Sequence, residues 1–279
     1  MRRFLKILAS AIGFGSLGVL GSLFSLLAIP VMRLLPGGKS ALQRRARSCF
    51  FLYFRTLVRF LQWAGIYTLH LEAMPPREAM DGHVIMATHP GYLDVVMMLG
   101  SIEQLTCVVK PAIWNNPLFG WAVRAAGYIP ALDPDWVLNR GSKALARGET
   151  LVLFPEGTRT LPGSPYRFVR GAAHLLLRSG APILPLIVTC DPPLLAKGHR
   201  WYHMPEHPCE YRIRALPAVA PPPPDPALPA PQAARALTEW LEELFNQEVY
   251  GPGHHPPRDE ALHREDAGSG GHAPRGHRG

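Results

Sequence analysis

Two short apolar runs in this chain each stop at a corner of proline and glycine that displays polar side chains, and this pairing limits the folds open to it. Val84-Ile85-Met86-Ala87-Thr88 leads into His89-Pro90-Gly91-Tyr92-Leu93-Asp94, and Thr150-Leu151-Val152-Leu153-Phe154 leads into Pro155-Glu156-Gly157-Thr158-Arg159. Apolar runs of this length bounded by turn residues read as buried strands. After the first corner, Leu93, Val95, Val96, Met97 and Leu99 read as the start of an apolar helix. Further strands are expected near 105–109, 183–189 and 211–215, with helical stretches near 94–101, 116–126, 136–147 and 168–179. Strands alternating with helices make an α/β domain, and residues 72–250 are enough for one core. The expectation is a single domain with a mixed sheet flanked by helices.

The corners carry chemistry as well as turns. Histidine accepts a proton near neutrality, and an aspartate on its far ring nitrogen fixes the tautomer and steadies the imidazolium. His89 is therefore a candidate base and Asp94 its orienting acid. Their five-residue separation does not place them on one helix face, so the backbone has to turn at Pro90 and Gly91. In the second corner a guanidinium at Arg159 can hold a phosphate or carboxylate, while Glu156 can accept from substrate hydroxyls or lock the arginine. Arg170, at the expected start of the next helix, either faces an acceptor phosphate or is simply solvated. No Gly-x-Ser-x-Gly elbow is present, and the cysteines at 49, 107, 190 and 209 show neither a Cys-x-x-Cys pair nor metal-ligand spacing. A base without an enzyme nucleophile suits direct transfer from an already activated donor such as a thioester.

His89-x4-Asp94, then Phe154-Pro155-Glu156-Gly157-Thr158-Arg159, then the Pro-containing strand Ala181–Val188 form an ordered set over roughly residues 80 to 190. This set resembles the glycerolipid acyltransferase superfamily of the 1-acylglycerol-3-phosphate acyltransferase type. The resemblance implies O-acyl transfer in phospholipid biosynthesis, from acyl-ACP or acyl-CoA to the hydroxyl of a lysophospholipid such as 1-acylglycerol-3-phosphate. It casts His89 as base, Asp94 as its orienter, and Glu156, Gly157 and Arg159 as the acceptor-binding loop, to which Thr158 and Arg170 are added here as candidate substrate-binding residues. It implies no metal and no cofactor. The chain departs from the family pattern in three places. Gly127–Asp133 has no arginine where one usually follows the Gly-x-Ile strand, the nearest basic residues being Arg124 and Arg140. Thr88 and Gly91 stand where asparagine and serine are frequent. These departures leave open a non-glycerophosphate lipid acceptor. Readings from other classes are a lipid hydrolase and a non-catalytic lipid-binding protein.

The N-terminal region points to a membrane. From Ile7 to Met32 no residue is charged, a run long enough to span a bilayer core of roughly 30 Å. Residues 1–71 hold ten of the 29 Lys and Arg and no acidic residue, so the remainder carries 19 basic against 21 acidic. Charge confined in this way suggests anionic lipid headgroups and not nucleic acid. Cys49–Leu71, rich in Phe, Leu, Trp and Tyr but interrupted by Arg55 and Arg59, reads as an interfacial amphipathic helix. Residues 1–71 are thus expected as a membrane-associating helix pair, at an inner membrane with the catalytic domain on the cytoplasmic side. Residues 217–231 read as a Pro-rich connector to a last helix bearing Leu237, Trp240, Leu241 and Leu244. Residues 251–279 are rich in Gly, His and Pro and read as a disordered tail.

Overall fold

With no charge to interrupt it, the apolar run at the start folds into one long helix. In the computed structural model, which describes residues 2–118, 120–157, 164–195, 202, 204 and 206–251, helix α1 (Arg2–Leu23) continues through a π-helical turn at Phe24–Ala28 into α2 (Ile29–Leu34). The 31 residues Phe4–Leu34 are long and apolar enough to cross a membrane, and Phe4, Ile12, Val19, Leu27 and Leu34 are exposed along them. The chain reverses at Pro36–Gly38, and α3 (Gly38–Trp63) returns against α1, where Ser16 and Tyr53 share a hydroxyl hydrogen bond of 2.8 Å.

Helix α3 stops at Trp63, short of the Leu71 expected from composition. Beyond the turn at Ala64–Gly65 the residues alternate apolar and polar, Tyr67, Leu69 and Leu71 against Thr68, His70 and Glu72. That period of two fits a pleated strand and not a helix, and the segment forms β1 (Tyr67–Glu72). In chain order there follow β2 (Val84–Ala87), α4 (Asp94–Ser101), β3 (Leu105–Val109), α5 (Pro111–Trp114), α6 (Gly120–Ala125), β4 (Ile129–Pro130), α7 (Pro134–Ala146) and β5 (Thr150–Leu153). The rest is α8 (Arg170–Ser179), β6 (Ile183–Asp191), β7 (Cys209–Ala215) and α9 (Ala230–Tyr250).

The seven strands lie in the order β1-β7-β6-β2-β5-β3-β4. All neighbours are parallel except β6 and β7, so the sheet is mixed. Helices cover both faces. Ile85 and Ala87 pack with Leu57, Val58, Met97 and Met98, while Val84 and Met86 pack with Leu175, Leu176, Leu237 and Leu241. Burial on both sides explains why β2 reads as a continuous apolar run, and each such side chain contributes roughly 1.5–3 kcal/mol.

Two consequences matter for function. Strands β2 and β5 are parallel neighbours, with Val84 opposite Leu151 and Met86 opposite Leu153, so both polar corners emerge at the same carboxyl edge of the sheet. That edge is where open α/β sheets bind ligands. At the amino edge lies a separate polar cluster. Arg47 of α3, only 5% exposed, donates to Glu149 Oε2 at 2.7 Å and to the Ala126 carbonyl at 2.8 Å. Thr106 and Arg147 also donate to the Glu149 carboxylate. Burial alone would raise the pKa of Glu149, but the two guanidiniums and the hydroxyl outweigh it and hold this carboxyl below its ordinary value.

Candidate active site

The corner after β2 brings His89 back onto Asp94, the first residue of α4. Nδ1 of His89 lies 2.6 Å from Asp94 Oδ2, with the histidine side chain 20% exposed and the aspartate fully buried. A carboxylate can only accept, so Nδ1 carries a proton, and in the neutral imidazole the lone pair is then on Nε2. The same Oδ2 accepts from the Gly91 amide at 2.9 Å, and Oδ1 accepts from the hydroxyl of Tyr211 on β7. Asp94 is thereby held from three directions. Gly91 is required by space, since a Cβ there would meet the Leu194 carbonyl oxygen at 2.9 Å. On its open side the His89 ring lies against Phe154, with centroids 4.5 Å apart.

The second corner reaches the first through a hydrogen bond between Glu156 and the backbone of His89. Glu156, buried at 6% exposure, turns inward, and its Oε1 accepts from the His89 backbone amide at 2.8 Å. Gly157 follows with φ +67°, a left-handed conformation that suits glycine, and its amide closes the turn onto Phe154 O at 3.2 Å. Thr88, just before the histidine, clips β2 to β6: its hydroxyl donates to Val188 O and accepts from Val188 N at 2.7 Å. Tyr166 is nine-tenths buried beside this carboxylate. Burial first, then the negative charge of Glu156 and the Tyr250 phenol, push the Tyr166 phenol up to about 12.

Residues 69–189 match the family model described as Acyltransferase. A stretch of the chain is 31% identical over 109 residues to a 1-acyl-sn-glycerol-3-phosphate acyltransferase of Pseudomonas aeruginosa, covering 37% of this chain and 42% of that protein. Another is 27% identical over 135 residues to the chloroplastic enzyme of that name, LPAT1, from Arabidopsis thaliana, covering 44% of this chain and 38% of that protein. The matched stretches therefore span less than half the length of these relatives. A crystal structure of a 1-acyl-sn-glycerophosphate acyltransferase from Thermotoga maritima shares the fold, with a TM-score of 0.62 at 17% identity over 90% of this chain and 99% of that one.

The expected site residues fall into three groups. His89, Asp94, Glu156 and Gly157 converge at the carboxyl edge, although Glu156 faces the backbone of His89 with at least one oxygen, where the sequence suggested a substrate hydroxyl or an arginine. Arg170 is exposed at the start of α8, and the neighbouring Val169 amide ties that start to the Pro155 carbonyl at 2.8 Å. Thr158 and Arg159 lie outside the described residues, as does the tail from 252 onward. Tyr211 was not foreseen. Its one signal in the sequence is an inward-facing tyrosine among Cys209, Ile213 and Ala215, a position where a buried hydroxyl needs a partner.

Proposed function

We propose that this protein is a membrane-associated O-acyltransferase that moves a fatty acyl group from a thioester donor, acyl-ACP or acyl-CoA, to the hydroxyl of a lysophospholipid of the 1-acylglycerol-3-phosphate class. The observation that carries this reading is the buried relay from Tyr211 and Gly91 through Asp94 to Nδ1 of His89, with no serine or cysteine beside it in the described contacts. In the reaction, Nε2 of His89 takes the proton of the acceptor hydroxyl as its oxygen attacks the thioester carbonyl. The tetrahedral intermediate collapses, the carbon–sulfur bond breaks, and the imidazolium returns the proton to the departing thiolate. Asp94 steadies the imidazolium meanwhile, and Glu156 fixes the backbone from which His89 projects.

Arg170, exposed at the start of α8, supplies positive charge for the acceptor phosphate at that edge, and Arg159 is assigned the same task from its place in the sequence motif. The long apolar helix Phe4–Leu34 holds the domain at the bilayer where lysolipids reside. The test is to incubate membranes containing the protein with labelled acyl-ACP or acyl-CoA and a panel of lysolipids, and to identify the product by mass. Phosphatidate formed from 1-acylglycerol-3-phosphate supports the reading. Acylation of only a non-glycerophosphate lipid would move the acceptor class, and release of free fatty acid alone would make the protein a hydrolase.

A further inference from the structure

A cationic groove runs between α3 and α7, and nothing in acyl transfer uses it. It encloses about 680 Å³ and is lined by Lys39 and Gln43 from α3, by Trp136, Arg140 and Lys143 from α7, and by Arg147 just after it. The α7 residues recur at three- and four-residue steps, so they share one helix face. Among the described residues lining the groove there is no carboxylate. Arg147 is already held by Glu149, and the Arg140 guanidinium stacks over the Trp136 ring at 4.6 Å. Lys39 and Lys143 make no ion pair among the described residues. Helix α3 also begins here, behind Gly37 and with no side-chain cap, so its first-turn amides add partial positive charge.

Position decides which anion such a groove suits. The apolar helix ends at Leu34, which is 87% exposed, with Arg33 in its last turn and Lys39 only five residues on. The groove therefore opens where the lipid-facing helix gives way to cations, at the depth of headgroups if that helix is in a bilayer. Trp136, half-exposed beside Arg140, is the side chain that favours such a boundary. We propose that the α3–α7 groove binds the phosphate headgroup of an anionic phospholipid, at a site apart from the catalytic edge. This rests on the membrane reading above.

The test uses the full chain in neutral detergent micelles, titrated with short-chain phosphatidylglycerol and followed by tryptophan fluorescence. Saturable binding is expected, weakened about 30-fold in the double variant Arg140→Gln/Lys143→Gln, at about fivefold per neutralised cation. Both side chains are exposed, and an unchanged circular dichroism spectrum checks that the variant folds. Short-chain phosphatidylcholine should not saturate the site, and inorganic phosphate should bind far more weakly, which separates a lipid from a free anion. Equal phosphatidylglycerol affinity in wild type and variant would overturn the proposal. So would inorganic phosphate binding as tightly as the lipid, or an acidic carrier protein occupying the groove when phosphatidylglycerol does not. Flotation of the wild-type chain with vesicles of phosphatidylcholine and phosphatidylglycerol tests the membrane reading separately: its failure sinks that reading, whereas flotation with equal headgroup affinities sinks only the groove.

Discussion

Each edge of the sheet holds a carboxylate, partly buried at one and fully buried at the other, and the two are treated differently. At the amino edge Glu149 is surrounded by Arg47, Arg147 and Thr106, whose guanidiniums and hydroxyl donate directly to it. At the carboxyl edge Asp94 is held by the Gly91 amide and the Tyr211 hydroxyl, but its third partner is a histidine whose second nitrogen is left over. Both arrangements satisfy the rule that buried charge must be paired. The difference is that one ends in groups that cannot exchange a proton near neutrality, and the other ends in a group that can. The first cluster suits stability, and the second suits the proton transfer proposed for it.

Substitutions should separate the two edges cleanly. The largest effect is expected from Asp94→Asn, which keeps the shape but lets Nδ1 of His89 lose its acceptor and its tautomer. The rate of acyl transfer should fall by about 10³ to 10⁴, while thermal unfolding shifts little. A drop in unfolding temperature that matches the lost activity would break the distinction. Arg47→Ala should behave in the opposite way. Stability should fall by about 1.5–3 kcal/mol in denaturant unfolding, because the partly buried Glu149 keeps Arg147 and Thr106 but loses a charged hydrogen bond from Arg47, while the rate per folded molecule stays near wild type.

Smaller effects sharpen the comparison. Tyr211→Phe removes one charged hydrogen bond from Asp94, and about a tenfold fall in kcat with little change in either KM is expected. A KM effect of the same size would place Tyr211 on substrate binding. Part of the pH dependence of stability should come from the amino edge. Glu149 has its pKa depressed in the fold, so its contribution is present above the unfolded carboxylate value and is lost as pH falls through the lower folded value. Acid unfolding of Glu149→Gln should accordingly be less steep in that range than that of wild type. An identical profile would remove Glu149 as a source of it.

The sequence made the local parts of this picture legible. Strands β2 and β5 are buried on both faces and short, so they show as uninterrupted apolar runs closed by Pro and Gly, and the corner that follows each is set by the same few residues. His89 and Asp94 lie within one such corner. Tyr211 lies 117 residues from Asp94, and only the antiparallel return of β7 beside β6 brings it there. The direction of Glu156 was equally hidden, because whether a loop carboxylate faces solvent or a neighbouring amide depends on the packing of β5 against β2. Strand β1 was hidden for another reason. Its aromatic and aliphatic residues continue the composition of α3, and its strand character comes from pairing with β7, more than 130 residues further on.

The most direct test of the account is the rate of acyl transfer from labelled donor to lysolipid in His89→Ala, measured beside wild type in the same membranes. The side chain is partly exposed and its loss opens no large cavity, so the variant should fold and remain on the membrane. Transfer is expected to fall by at least about 10³ with membrane association unchanged. Transfer at the wild-type rate in that variant would contradict the assignment of His89 as the base.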